Sequence, residues 1–89
     1  MKSHEWHDIR RQVFERALWQ CEHPGCSRPA TEIAHRIANT KANASAYGHD
    51  VLSNPHNLAA SCKAHNDFFN CGNNPGKVRE ILEKIKGGL

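Results

Sequence analysis

Residues 57–66 read N-L-A-A-S-C-K-A-H-N, beginning at Asn57 and ending at Asn66, and this stretch decides the fold. Leu58, Ala59, Ala60 and Ser61 form a short run fit for a strand, bounded by turn-forming residues at Asn54 and Pro55. Cys62 and His65 follow, two potential soft metal ligands at knuckle spacing. Lys63 to about Asn70 is then expected to open a helix whose first turn carries His65 and Asn66.

Upstream, E-I-A-H-R at residues 32–36 supplies the partner strand, expected over residues 31–37 and carrying His35. Between the strands, residues 38–55 are rich in Asn, Ala, Ser and Gly with little apolar periodicity, which predicts a long loop. A loop of that length in so small a domain usually carries function. Before the hairpin, Trp6, Ile9, Val13, Phe14 and Ala17 recur at helical spacing and predict an amphipathic entry helix over residues 4–19. After it, Asn74 caps and Pro75 opens a closing helix with an apolar stripe of Val78, Ile81, Leu82 and Ile85, ended by Gly87. The last two or three residues are expected to fray.

The chain is one domain, residues 1–89, and at 89 residues it has limited apolar surface to bury without a metal, disulfides or a partner subunit. Its four cysteines and seven histidines therefore read as structural first. His4, Glu5, His7, Asp8, Arg10 and Arg11 keep the start polar, and no long apolar run appears, so a soluble cytoplasmic protein with no membrane partner is expected. In a reducing compartment the cysteines point to metal binding rather than to disulfides. Twelve Lys and Arg against nine Asp and Glu permit nucleic-acid binding without arguing for it. Distribution argues more: between Arg36 and Asn66 the only acid is Asp50, against Arg36, Lys41 and Lys63.

Cys21 and Cys26 make a second knuckle, C-E-H-P-G-C, in which Pro24 and Gly25 favour a tight turn. With Cys62 and His65 it offers four ligands suited to one tetrahedral structural zinc, the pairs standing thirty-five residues apart. The fourth place is the contestable one, since His23 and Cys71 could compete with His65 for it. Cys71, six residues beyond His65, reads instead as a small buried or partly exposed thiol.

Taken in order, A-T-E-I-A-H-R, the N-P-H-N-L turn and C-x-x-H-N make residues 10–75 resemble the HNH endonucleases, the ββα-metal or His-Me finger nucleases. Phage-type members with A-H-R-I and a late G-N-N-P, here residues 72–75, are the most similar. The resemblance implies an α+β fold in which two strands and a helix grip a divalent cation, beside a zinc ribbon-like structural site and between N- and C-terminal helices.

It also implies roles. His35 would be the general base on the attacking water, a task suited to an imidazole of ordinary pKa near 6.5. Asn57 would tie the long loop through backbone hydrogen bonds and so orient that base. Asn66, at a position commonly held by histidine, would bind the catalytic ion, magnesium, manganese or another transition metal, through its amide oxygen. Arg36, Lys41 and Lys63 are placed to meet DNA phosphates. The chain departs from the family at Ala34, where an acid or histidine usually supplies the other ligand of the ion; Glu32, His49, Asp50, His56 and Asp67 are the candidate substitutes. Strand alternation puts Glu32 on the face opposite His35.

The expected activity is metal-dependent DNA phosphodiester hydrolysis leaving 5′-phosphate ends, by a nick or a double-strand cut. Phage packaging proteins or a second copy of the chain are the candidate partners, and the host cytoplasm is the setting if a phage encodes it. Ala34 and Asn66 motivate the alternative, a catalytically impaired zinc-containing nucleic-acid-binding module; a small zinc protein-interaction domain is a third reading.

Overall fold

The computed structural model describes residues 3–72 and 74–87, so Asn73 of the G-N-N-P run and the last two residues, expected to fray, lie outside it. It is a small α+β fold. Helix α1 (Ser3–Arg16) leads to strand β1 (Glu32–His35); helices α2 (Lys41–Tyr47) and α3 (His49–Leu52) and a 3-10 turn (Pro55–Asn57) precede strand β2 (Leu58–Ser61). A 3-10 segment (Lys63–Phe69) and helix α4 (Pro75–Gly87) follow. Among the described residues, no helix is long and apolar enough to cross a membrane.

The two strands pair antiparallel, with Glu32 opposite Ser61 and His35 opposite Leu58. Pairing runs past the strand ends, because the Thr31 N–H donates to the Ser61 carbonyl at 2.9 Å and the Arg36 N–H to the Asn57 carbonyl at 2.8 Å. The predicted span of residues 31–37 therefore differs from the observed strand only at its frayed ends.

Both faces of the hairpin are covered. On one, Val13 and Phe14 of α1 pack with Ala30, Leu58 and Ala60, joined by Trp6, Ile9, Ala17 and Ile33. On the other, Phe69 closes over Ala34 and Ala59. A separate cluster of Ile37, Leu52, Cys71 and Ile81 seats the α4 stripe of Val78, Leu82 and Ile85. As predicted, the Asn74 side chain caps α4, its Oδ1 accepting from the Lys77 N–H at 3.1 Å.

Three elements differ from the sequence expectation, each for a local reason. Helix α1 stops at Arg16 rather than continuing to Trp19, because Leu18 and Trp19 turn left-handed, at φ 55° and 61°. That conformation costs an L-residue about 1 kcal/mol; Trp19 recovers contact by stacking on Phe14, centroids 4.9 Å apart and planes within 4°. The expected loop of residues 38–55 contains α2 and α3: Thr40 caps α2 by accepting from the Asn43 N–H at 3.2 Å, and Gly48 at φ 91° separates the two helices. Finally, residues 63–69 wind as a 3-10 helix rather than an α-helix. Cys62 precedes it as the extended N-cap, and the His65 N–H donates to the Cys62 carbonyl at 3.3 Å, a turn that brings the two side chains onto one side of the backbone.

Candidate functional site

The candidate site residues gather at the two ends of the hairpin. At the Glu32/Ser61 end, Cys21, Cys26, Cys62 and His65 bring one ligand atom each within 4.8 Å of one another. The Cys62 Sγ to His65 Nδ1 distance is 3.4 Å, Cys21 Sγ to His65 Nδ1 is 3.8 Å and Cys26 Sγ to Cys62 Sγ is 4.0 Å. Zinc bonds near 2.3 Å to sulfur and 2.05 Å to nitrogen set tetrahedral edges of about 3.8 Å between sulfurs and about 3.6 Å between sulfur and nitrogen. The cluster can thus hold a metal ion, and its three sulfurs and one imidazole are consistent with structural zinc.

Local structure presents these ligands. The Cys21 N–H donates to the Arg28 carbonyl at 2.9 Å and the Cys26 N–H to the His23 carbonyl at 3.0 Å, which closes the first knuckle. Burial pushes the Cys21 thiol up, but hydrogen bonds from the backbone at Cys62 and His23 and from the His65 and Cys62 side chains outweigh it and bring the thiol down to about 6. A thiolate is the form a metal takes. Neither competing residue is in the cluster: His23 lays its ring on His65, centroids 3.9 Å apart, and Cys71 is buried against Ile37, Leu52 and Ile81. Burial pushes the Cys71 thiol up, as suits an inert core residue.

A strut that the sequence does not advertise fixes this end to the rest. Arg16 donates to Glu22 Oε1 at 2.7 Å, to the Leu58 carbonyl at 2.8 Å and to the Pro55 carbonyl at 3.0 Å, while Glu22 Oε1 also accepts from the Ala60 N–H at 2.8 Å. Arg16 belongs to the polar positions of an amphipathic helix pattern, so only the fold reveals that it bridges α1, the first knuckle and β2.

At the other end of the hairpin stand His35 and Asn57. Asn57 is fully buried; its Oδ1 accepts from the Ile37 N–H at 2.7 Å, and its Nδ2 donates to the carbonyls of Leu52 at 2.9 Å and Ile37 at 3.2 Å. It ties the chain just after His35 to the end of α3. The His35 ring stacks on Trp6 of α1, centroids 6.0 Å apart, and lines a cavity of about 260 Å³ with Trp6, Asn39, His49, Leu52 and Ser53. Burial pushes the His35 imidazole below its ordinary pKa, which favours the neutral, proton-accepting form.

Asn66 lies on the opposite side of β1. Its Nδ2 donates to Glu32 Oε1 at 3.0 Å, and the Glu32 and Ala34 face of the strand is the one Phe69 covers. The candidate substitutes for the missing ligand are thereby sorted. Glu32 touches Asn66; His49 lines the His35 cavity; Asp50 lines a different cleft with Glu5 and Asp8; His56 faces α4; Asp67 is exposed on the 3-10 segment. Ala34, 1 % exposed, offers no donor. A carboxylate and an amide offer hard oxygens, the donor chemistry that magnesium and manganese take.

Of the cations expected to meet DNA, Arg36 holds its guanidinium over the Phe69 ring at 5.3 Å, Lys41 opens α2 beside Asn39 and His49, and Lys63 is exposed at the start of the 3-10 segment. Comparison with protein-family models, curated proteins and solved structures finds no match for this chain.

Proposed function

We propose that the chain is a zinc-stabilised, divalent-cation-dependent DNA phosphodiesterase of the HNH, ββα-metal type, with the 3-10 segment standing where the family has its helix. The observation that carries the reading is His35: a half-buried imidazole, biased to its neutral form, opening into a cavity beside a loop that a buried Asn57 braces. In this role His35 takes a proton from water as the water oxygen attacks phosphorus, and the P–O3′ bond breaks to leave a 5′-phosphate and a 3′-alkoxide that takes a proton from solvent to become the 3′-hydroxyl. Trp6 restricts the ring, and Asn57 sets the backbone that carries it. Glu32 and Asn66, on the face of β1 opposite His35, offer the hard oxygens that would hold a divalent cation there, whose chemistry when bound is stabilisation of phosphate charge.

A specific observation favours the second reading, a nucleic-acid-binding zinc module without activity: the position that supplies a ligand in the family is the buried methyl of Ala34. Conversion of supercoiled plasmid to open circle, with zinc retained and magnesium or manganese added, separates the two. The nuclease reading expects nicking that His35→Ala abolishes and Glu32→Gln weakens. Equal inertness of wild type and His35→Ala, with DNA binding intact, would leave the binding module.

A further inference from the structure

The closing helix α4 does more than pack. Its outer side forms one wall of a cleft of about 280 Å³, to which Lys77, Glu80 and Lys84 contribute from α4, Arg36 from the end of β1, His56 from the turn before β2, and Phe68 from the 3-10 segment. Three permanent cations thus face one carboxylate in a groove assembled from four separate parts of the chain. Lys77 and Lys84, seven residues apart, fall within about 20° of one helical face and rise about 10.5 Å along it.

Two further features define the ligand. Phe68 is 58 % exposed while its neighbour Phe69 is buried, and edge contacts to His23 and Phe69, at centroid distances of 4.3 and 5.2 Å, hold its ring in place. An exposed, fixed aromatic ring within a basic groove is the arrangement that stacks unpaired bases. Arg36, the residue after His35, is oriented by the Phe69 ring at 5.3 Å and connects the cleft to the candidate catalytic end of the hairpin.

We propose that this cleft binds an unpaired nucleic-acid strand, with the backbone along Lys77, Lys84 and Arg36 and a base stacked on Phe68. The proposal rests on the nucleic-acid part of the function proposed above and is independent of hydrolysis.

Fluorescence anisotropy of the full zinc-loaded chain tests it, with labelled oligodeoxythymidine and a duplex of equal length between 50 and 300 mM NaCl. The wild type should prefer the single strand. The double variant Lys77→Gln/Lys84→Gln should lose at least about tenfold in affinity at low salt and about 1.4 units of the slope of log affinity against log salt, from two phosphate contacts at about 0.7 each. Phe68→Leu, which keeps an apolar contact to His23 without a flat ring, should weaken the single strand roughly 5- to 150-fold and leave the duplex unchanged. Unchanged zinc content and thermal midpoint in both variants would show that they fold.

Wild-type affinity in these variants, combined with loss of binding in Lys41→Gln/Lys63→Gln, would overturn the cleft and leave nucleic-acid binding standing elsewhere. No oligonucleotide binding by the wild type at 50 mM salt would overturn both. Binding of polyglutamate as tight as that of the single strand would also overturn the cleft proposal, since the groove would then be reading negative charge without bases.

Discussion

The two ends of the hairpin solve different problems. The Glu32/Ser61 end gathers Cys21, Cys26, Cys62 and His65 from two stretches of chain onto one point, and these ligands mean little to one another without an ion. The His35/Leu58 end is held by Asn57, whose amide satisfies backbone groups on either side with no ion at all. The difference teaches where each kind of failure should appear: loss at the first end removes the fold, and loss at the second removes an orientation.

The largest effect should follow removal of the structural ion. Stripping it with a strong chelator, or replacing Cys62 by Ser, is expected to unfold the chain, since ion binding of this kind contributes about 10 kcal/mol or more to folding in small zinc domains. Circular dichroism with metal analysis checks this; a chelated chain that keeps its helical signal and cooperative melt would erase the contrast between the ends.

At the other end, His35→Ala should lower the nicking rate by about 10² to 10⁴-fold while the protein stays folded. The pH dependence sharpens the point. Burial lowers the His35 pKa, so the base is neutral above its depressed value and activity should fall on an acid limb that lies below pH 6.5. The same shift means that the unfolded chain takes up a proton before the folded one does. The stability this neutral ring contributes is therefore fully present above pH 6.5 and is lost as pH falls from there through the lowered pKa. A rate profile whose acid limb lies above pH 6.5 would assign the base to another group.

Asn57→Ala comes next, at about 2–4 kcal/mol of stability, because it leaves the buried Ile37 N–H without a partner. Urea unfolding measures this, and the variant should slow nicking while retaining its zinc. A loss under about 1 kcal/mol would mean that the loop does not depend on the amide. The smallest effect belongs to the corner after α1. Leu18 is 80 % exposed at φ 55°, so Leu18→Asn removes no packing and places a residue that tolerates this conformation. A gain of up to about 1 kcal/mol in thermal unfolding is expected; a loss would indicate that Leu18 is held by contacts its exposure does not suggest.

What could be read in the chain itself are features that short-range chemistry fixes. The four ligand types at knuckle spacing, the two strands, and an Asn-Pro start with an apolar stripe for α4 are each written within a dozen residues, and each stands in the fold. Tertiary structure decided the rest. His65 rather than His23 or Cys71 joins the cluster, its N–H turned back onto the Cys62 carbonyl and its Nδ1 3.4 Å from the Cys62 sulfur, at the start of a 3-10 winding that residues 63–69 do not signal. Glu32 rather than Asp50 or Asp67 meets Asn66, Arg16 bridges three elements, and Lys77 and Lys84 face Arg36 across a cleft. These pairings join residues up to 48 positions apart, and no local pattern encodes them. The sequence by itself determined which groups could do chemistry; packing of the hairpin between α1 and the 3-10 segment determined which of them meet.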